Sequence, residues 1–342
     1  MYTNIRPGKE WLDTDGNPIQ AHGGSVMYLN DRYYWYGENK DKTTGKDKTW
    51  QDGMNYYSSK DLYNWKYEGK FLNPVGVLAP EKMADRPHII YNKKTQNFVC
   101  WVKIMEADFT QTESIFVSQN FGGPYKLVRQ GLRPLGMSGG DFDLTVAPDG
   151  KAYYYFERVH GEIICADLTD DYTNVTGYYS THLVHAAPPE AREAPAYFER
   201  GGKHYLITSG TTGYLPNPSE VAVAKTWHGP FINLGNPHVG DESKTSFHSQ
   251  ISSVFKVHDK DLYIACADRW LLDAVKYNYN DYSTDVKKLM TEPQKFNYGE
   301  SVLKNIDMNN TSVARYVWLP ITFDGDKPQI KWYDQWNLDQ FN

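Results

Sequence analysis

The sequence of 342 residues has little of what would tie a protein to a membrane or to nucleic acid. No run approaches the roughly 20 apolar residues that a membrane-spanning helix needs. The 36 basic and 42 acidic residues are scattered along the chain, and no basic block is present that would hold a phosphate backbone. We therefore expect neither a membrane span nor a nucleic-acid partner.

Cysteine is scarce, and its spacing carries no motif. The three cysteines, Cys100, Cys165 and Cys266, lie far apart, without the short spacing of a zinc site or a redox motif. This pattern predicts buried free thiols. The chain begins with a polar segment over residues 2–9 and shows no signal-peptide core. These features indicate a soluble protein, or a mature form whose signal has been removed.

Stripes of helical period are also hard to find, whereas short strand-like segments are abundant. Each segment is rich in aromatic or β-branched residues and is bounded by Gly, Asn, Asp or Pro. The predicted strands are residues 25–28, 33–36, 55–58, 88–91, 98–102, 152–156, 205–208, 221–224 and 262–265. Aromatic residues make up 15% of the chain, and Tyr and Trp suit both strands and the stacking of sugar rings. The composition therefore favours an all-β fold that binds carbohydrate.

An internal repeat groups these segments into larger units. Its copies are residues 56–69, 115–128, 163–179 and 221–234, of which the third is the loosest. With a fifth strand group over residues 249–321, the repeat defines five units of roughly 45 to 70 residues, the size of a four-stranded propeller blade with its loops. We predict an all-β, five-bladed β-propeller that forms one domain over residues 1–342.

Polar residues recur at the predicted blade starts, which meet around the central channel of a propeller. In blade order they are Gln20 and His22, Asp85 and Arg86, Asp141 and Asp143, Arg192 and Glu193, and His248 and Gln250, with Glu38 at the end of the second strand. Glycoside hydrolysis needs such a convergence, because a protonated acid serves the leaving oxygen while a second group activates water or attacks carbon.

Stretches in order along nearly the whole chain resemble glycoside hydrolase family 43, and within it the branch that contains exo-β-1,3-galactanases. They are residues 13–24, 33–38, 57–65, 86–93, 192–196, 208–213, 249–250, 268–270 and 315–321. The resemblance implies a five-bladed propeller that hydrolyses a glycosidic bond with inversion. It also implies a Glu that acts as the acid, an Asp that tunes this acid, and a group that acts as the base.

By this resemblance Glu193 is the general acid. The flanking Ala194, Pro195 and Ala196 would desolvate its carboxyl and raise the pKa towards the range of an acid that works at neutral pH. The resemblance places the tuning carboxylate at Asp141. Asp143 lies two residues further along the predicted strand, so its side chain points to the same face as that of Asp141. Asp143 is therefore the alternative for the tuning carboxylate.

The base is where the family pattern breaks, because the start of blade one carries no carboxylate around His22. The galactanase branch has the same omission, with a glutamine of the fifth blade in the base position. Gln250 matches that glutamine and is expected to position the water. A neutral amide is a poor base, so Glu38 is a second candidate for the base and is otherwise expected to bind a sugar hydroxyl.

The predicted sugar site departs from the galactanases at two places. Asp85 stands where that branch has a glutamate that contacts the terminal galactose, and Gly139-Gly140 precede Asp141 where the branch has Ser-Arg. A carboxylate withdrawn by one methylene loses a hydrogen bond unless the sugar differs or shifts. The full set of expected substrate-binding residues is Glu38, Asp85, Trp101, Thr212, Tyr214 and Asp268, and Trp270 is a further stacking candidate.

These features predict an exo-acting, inverting glycoside hydrolase that removes terminal galactose from β-1,3-galactan. The alternatives are an α-L-arabinofuranosidase or β-D-galactofuranosidase of the same family, and a glycan-binding propeller without catalysis. We expect a monomer that is secreted, periplasmic or cell-surface and acts on an oligosaccharide or polysaccharide without a required cofactor. Calcium in the channel near His22 and His248 is weakly indicated, because two histidines without an oxygen cage resemble structural histidines more than a metal site.

Overall fold

The computed structural model describes residues 1–341, and most of them lie in strands or in the turns between strands. The first two blades are four-stranded antiparallel meanders. Blade one comprises β1 (His22–Leu29), β2 (Arg32–Glu38), β3 (Met54–Ser59) and β4 (Lys66–Leu72). Blade two comprises β5 (Met83–Asn92), β6 (Asn97–Met105), β7 (Gln111–Ser118) and β8 (Lys126–Leu132).

The next two blades repeat this arrangement, and the last blade adds a strand at its outer edge. Blade three comprises β9 (Gly139–Val146), β10 (Ala152–Arg158), β11 (Glu162–Leu168) and β12 (Val175–His182). Blade four comprises β13 (Arg192–Arg200), β14 (Lys203–Gly210), β15 (Glu220–Ala224) and β16 (Ile232–Gly235). Blade five comprises β18 (Gln250–Lys256), β19 (Tyr263–Arg269), β20 (Arg315–Asp324) and β21 (Lys327–Lys331), with β17 (His238–Val239) parallel to β21.

The innermost strands contact one another around a closed ring, in the order β1, β5, β9, β13 and β18, and β18 returns to β1. This arrangement confirms the predicted all-β, five-bladed propeller. Four of the predicted repeat copies are the two outer strands of blades one to four. Cys100, Cys165 and Cys266 are buried free thiols, as expected. That residues 1–342 act as one catalytic domain stays a prediction.

A long insertion between β19 and β20 contains the single α-helix of the described residues, α1 (Tyr279–Thr291). The sequence pattern did not indicate this helix. Asn278 caps the helix, and its side chain and that of Asp281 each accept a backbone N–H of the other residue. Only Tyr282 and Val286 of α1 are buried, and a two-residue stripe is too short to stand out in a sequence.

Short 3-10 helices occupy several connections between strands. They are Gly76–Leu78, Pro134–Gly136, Leu272–Lys276, Pro293–Lys295, Tyr298–Glu300, Val302–Asn305 and Leu338–Gln340. The insertion packs Tyr282, Val286 and Leu303 against Trp270 and Leu215 at the mouth of the channel. No helix within residues 1–341 is long and apolar enough to cross a bilayer.

Three innermost strands bend at the same end of the channel. The pairing register shifts after His22 in β1, after Asp85 in β5 and after Glu193 in β13. The next residue has positive φ in each case, and for Arg86 (51°) and Ala194 (49°) this left-handed backbone costs about 1–2 kcal/mol. Bulges of this kind re-aim side chains, so the strand ends turn polar groups towards one point.

Candidate active site

The bent strand ends surround an open pocket at one end of the channel. Side chains from all five blades line it. They are Glu38, Trp50, Asp85, Arg86, Lys103, Met105, Asp141, Glu193, Tyr214, Gln250 and Trp270, with Gly213 beside them. Of the predicted site residues, the structure therefore brings together Glu193, Asp141, Gln250, Glu38, Asp85, Tyr214 and Trp270.

Glu193 lies at the start of β13 with only 8% of its surface exposed. Burial raises the pKa of its carboxyl well above the usual value, and the negative charges of Asp141 and Glu157 raise it further. Arg86 and Lys103 oppose this shift without cancelling it. The raised pKa favours the protonated form of Glu193, in which its carboxyl can donate a proton.

Gln250 has all of its hydrogen-bonding positions filled. Arg86 Nη2 and Trp270 Nε1 donate to its Oε1 at 2.7 and 3.2 Å. Since these two partners can only donate, they determine which way the amide faces. Gln250 Nε2 then donates to Ser209 Oγ at 2.9 Å and to Glu193 Oε1 at 3.0 Å.

The bond between Gln250 and Glu193 was not foreseen from the sequence. Acid and water-activating groups of inverting enzymes stand about 6.5–9.5 Å apart to admit water. At 3.0 Å from Glu193 Oε1, the amide instead holds one carboxyl oxygen as an acceptor and leaves the acidic proton to Oε2. In this unliganded arrangement Gln250 positions the acid.

Arg86 connects the blades around the pocket. Its backbone N–H donates to Glu38 Oε1 at 2.9 Å, and its Nε lies 2.8 Å from Asp141 Oδ1. Its Nη2 donates to Gln250, which in turn bonds Glu193. The remaining Nη1 is buried without a partner. A donor of this kind at a pocket is available to a sugar hydroxyl.

The two aspartates of β9 have different surroundings. Asp141 lies on the pocket and pairs with both Arg86 and Lys103, whose Nζ is 2.8 Å from Oδ1. Although burial opposes the shift, these two cations hold the pKa of Asp141 well below its usual range. Asp143 instead accepts the Tyr197 N–H at 2.8 Å and lies 3.0 Å from His88 Nδ1, further along the channel.

Glu38 and Asp85 face each other across Lys40, which is completely buried. Lys40 Nζ lies 2.8 Å from Glu38 Oε2 and 3.6 Å from Asp85 Oδ1. Burial raises the pKa of Glu38 to about 7, while Lys103 and Lys40 outweigh burial and lower the pKa of Asp85. Trp50 Nε1 donates to Asp85 Oδ1 at 2.5 Å, so the shortened side chain is tied to the pocket wall.

Aromatic rings form one wall of the pocket. Tyr214 lies between Trp50 and Trp270, with ring centroids 5.9 and 5.0 Å away. Tyr214 was predicted to bind substrate, and its ring lies on the pocket. Flat apolar faces of this kind suit contact with a sugar ring.

The structure contradicts the predicted substrate contact of Trp101. Its side chain is completely buried in the core between blades two and three. The indole donates to the Tyr172 carbonyl at 2.8 Å and packs on Tyr154 at 4.9 Å between centroids. At this position the aromatic side chain serves core packing.

Thr212 and Asp268 are engaged within the protein and do not line the pocket, and their binding of substrate stays a prediction. The Thr212 hydroxyl donates to the Leu215 carbonyl at 2.5 Å. The Asp268 carboxylate bonds His22 Nδ1 at 2.9 Å and the Gly23 N–H at 3.0 Å. Thr212 stabilises its own loop, and Asp268 connects β19 with the start of β1.

Three pocket residues were missed from the sequence, namely Trp50, Lys103 and Met105. Lys103 was detectable in principle, because it is the single charge inside the apolar strand β6. Trp50 belongs to a loop, and nothing in its local sequence indicates that this loop folds over the pocket.

The histidines near the channel show no oxygen cage. His22 has both nitrogens engaged, by Asp268 Oδ1 and by Tyr316 Oη at 3.3 Å, and is the structural histidine that was expected. Among residues 1–341, one cluster of three potential ligands has its atoms within 4.8 Å of one another, and it consists of Glu157, His160 and Glu193. Glu157 and His160 bond each other at 2.6 Å, so we describe this cluster as a hydrogen-bonded acid–base group. Calcium in the channel stays a prediction.

Replacing Arg86 with Met should destabilise the fold by about 3–5 kcal/mol, because the buried carboxylates lose their common partner. The free energy of unfolding in urea measures this loss. Arg158 is the control, since its ion pair with Glu162 is half exposed and Arg158→Met should cost at most about 1 kcal/mol. Equal losses in the two variants would contradict the central role of Arg86.

Comparison with known proteins identifies the family of this chain. The model of the glycosyl hydrolases family 43 matches residues 16–290. Two similar solved structures are β-1,3-galactosidases of that family. BT0265 is 31% identical with a TM-score of 0.80, and the match covers 100% of this chain and 65% of that one. BT3683, solved with galactodeoxynojirimycin, is 29% identical with a TM-score of 0.77, covering 98% of this chain and 100% of that one.

A third solved structure is the exo-β-1,3-galactanase 1,3Gal43A from Clostridium thermocellum. It is 27% identical with a TM-score of 0.75, and the match covers 97% of this chain and 66% of that one. No curated protein sequence gives a significant match. The family model and the fold agree over most of the chain, and the protein therefore belongs to glycoside hydrolase family 43.

Proposed function

We propose that the protein is an exo-acting, inverting glycoside hydrolase that removes terminal galactose from β-1,3-galactan. The observation that carries the proposal is the buried Glu193, whose pKa is raised, beside Asp141, whose pKa is lowered, in one pocket. Acid catalysis at neutral pH requires two carboxyl groups whose surroundings give them different pKa values. Glu193 donates its proton to the glycosidic oxygen, and Asp141, held by Arg86 and Lys103, maintains the charge that favours the protonated acid.

The sugar is proposed from two lines of support. The similar structures named above are β-1,3-galactosidases and an exo-β-1,3-galactanase. In this chain Asp85, Lys103 and Arg86, whose Nη1 has no partner, line one pocket together with the aromatic rings, which suits a single terminal sugar. Such a substrate would be met in a secreted, periplasmic or cell-surface location, and the monomeric state is proposed with it.

A furanosidase is the second candidate because of Asp85. Its bond to Trp50 and its contact with Lys40 leave the carboxylate differently placed from the longer glutamate of the galactanases. Aryl β-galactopyranoside, α-L-arabinofuranoside and β-galactofuranoside, compared by kcat/KM, separate the two. We expect the galactopyranoside to be preferred.

Water activation has two candidates in the pocket. Gln250 takes the base position by resemblance, and it can act on water once substrate displaces one of its four partners. Glu38 is a carboxylate with a pKa of about 7, which suits a general base, but Lys40 and the Arg86 N–H already occupy its oxygens. We propose Gln250 for the water and Glu38 for a sugar hydroxyl.

Replacing Glu193 with Gln should lower kcat for β-1,3-galactobiose by about 10²- to 10⁴-fold, because an amide cannot protonate the leaving oxygen. Glu199 lies on the same strand but is exposed, so Glu199→Gln is the matched control and should leave kcat unchanged. Undiminished release of galactose by the Glu193 variant would refute the proposal. Binding of oligosaccharide without release by the unmodified protein would instead indicate a non-catalytic glycan-binding propeller.

The two candidates for water activation predict different kinetics. If Gln250 positions the water, Gln250→Ala should lower kcat by about 10²-fold or more, whereas Glu38→Gln should chiefly raise KM for galactobiose. Steady-state kinetics at several pH values measures both. A larger loss of kcat in the Glu38 variant than in the Gln250 variant would transfer the role to Glu38.

A further inference from the structure

A buried acid–base pair lies behind the proposed acid, and the proposed mechanism does not use it. Glu157, near the end of β10, is 1% exposed, and His160 follows in the turn towards β11. His160 Nδ1 lies 2.6 Å from Glu157 Oε1, and the His160 side chain is 34% exposed. The pair therefore reaches from solvent into the interior of blade three.

This pair lies directly against Glu193. The ligating atoms of Glu157, His160 and Glu193 all lie within 4.8 Å of one another. Gly140 makes the approach possible, because a Cβ at that position would lie 2.3 Å from Glu157 Oε2. Glycine at position 140 therefore leaves room for the Glu157 carboxylate, which occupies the space that a side chain would need.

Two buried carboxyls at this separation resist being ionised together, so one of them keeps a proton. The charged groups around Glu193 are Asp141 of β9, Arg86 of β5, Lys103 of β6 and Glu157 of β10. Asp141 is paired with both Arg86 and Lys103, whereas Glu157 has His160 as its bonded partner.

We propose that Glu157 and His160 form a positioning pair that keeps the catalytic proton on Glu193. His160 stabilises the ionised form of Glu157, and the ionised Glu157 then disfavours a second charge on Glu193. Burial lowers the pKa of His160, but the bond to Glu157 outweighs burial and raises it. The Glu157 charge also raises the pKa of Glu193. The inference rests on the proposed role of Glu193 as the acid.

The test is the pH dependence of kcat/KM for β-1,3-galactobiose, whose poor leaving group requires the acid. In Glu157→Gln the alkaline limb should move to lower pH by about one unit or more, with the rate below that limb retained, because a nearby negative charge is lost. In His160→Gln the alkaline limb should not move to lower pH. The value of kcat/KM should nevertheless fall at least about twofold, because Glu157 then shares the catalytic proton with Glu193.

Glu162→Gln is the matched control, since Glu162 lies on the same hairpin and pairs with Arg158 away from the pocket. Its pH profile should coincide with that of the unmodified protein. If Glu157→Gln fails to fold, Gly140→Ala replaces it, because the added methyl displaces the Glu157 carboxylate and should move the limb the same way. An alkaline limb that coincides in Glu157→Gln and the unmodified protein would overturn the inference.

Carboxyl carbon NMR of the unliganded protein separates this inference from the proposed function. The signal of Glu193, assigned by its loss in Glu193→Gln, should titrate at lower pH in Glu157→Gln than in the unmodified protein. An unchanged titration overturns the positioning pair even if galactobiose is hydrolysed. A lowered titration supports the pair even if galactobiose is not a substrate.

Discussion

The site depends on the contacts of one buried cation, Arg86. Its backbone and guanidinium reach Glu38 of blade one, Asp141 of blade three and Gln250 of blade five, and Gln250 carries the connection on to Glu193 of blade four. The innermost strands belong to separate sheets that pack on one another around the ring, and Arg86 gives their ends at the pocket a shared ionic partner as well. The left-handed backbone of Arg86 is part of the cost of this arrangement.

The same network gives similar side chains different chemistry. Asp141 has two cations beside it that lower its pKa, whereas Glu193 is buried and lies near Asp141 and Glu157, so its pKa is raised. The distinction follows from placement alone, since both groups are carboxyls at the ends of innermost strands. Gln250 then holds one oxygen of Glu193, so the orientation of the acid is determined as well as its protonation.

The ring of blades and much of the site could be predicted from the sequence, because short strands, turn residues and polar blade starts are local signals. Glu193, Asp141 and Gln250 stand at such blade starts and line the pocket, whereas their proposed roles rest on the family resemblance. The alternation of side chains along a strand does not show which end of the strand faces the pocket. The assignment of Trp101 to the substrate-binding residues was wrong for this reason. The Glu157–His160 pair and the bond between Gln250 and Glu193 join distant segments, so no local pattern could indicate them.

Hydrolysis with Glu193 as the acid and direct attack by water inverts the anomeric configuration of the released sugar. Proton NMR of galactose at the first moments of β-1,3-galactobiose hydrolysis measures this configuration. We expect α-galactose to form first and then to equilibrate with the β anomer, since water attacks the face opposite the leaving group. Initial formation of β-galactose would indicate a covalent intermediate and would contradict direct attack by water.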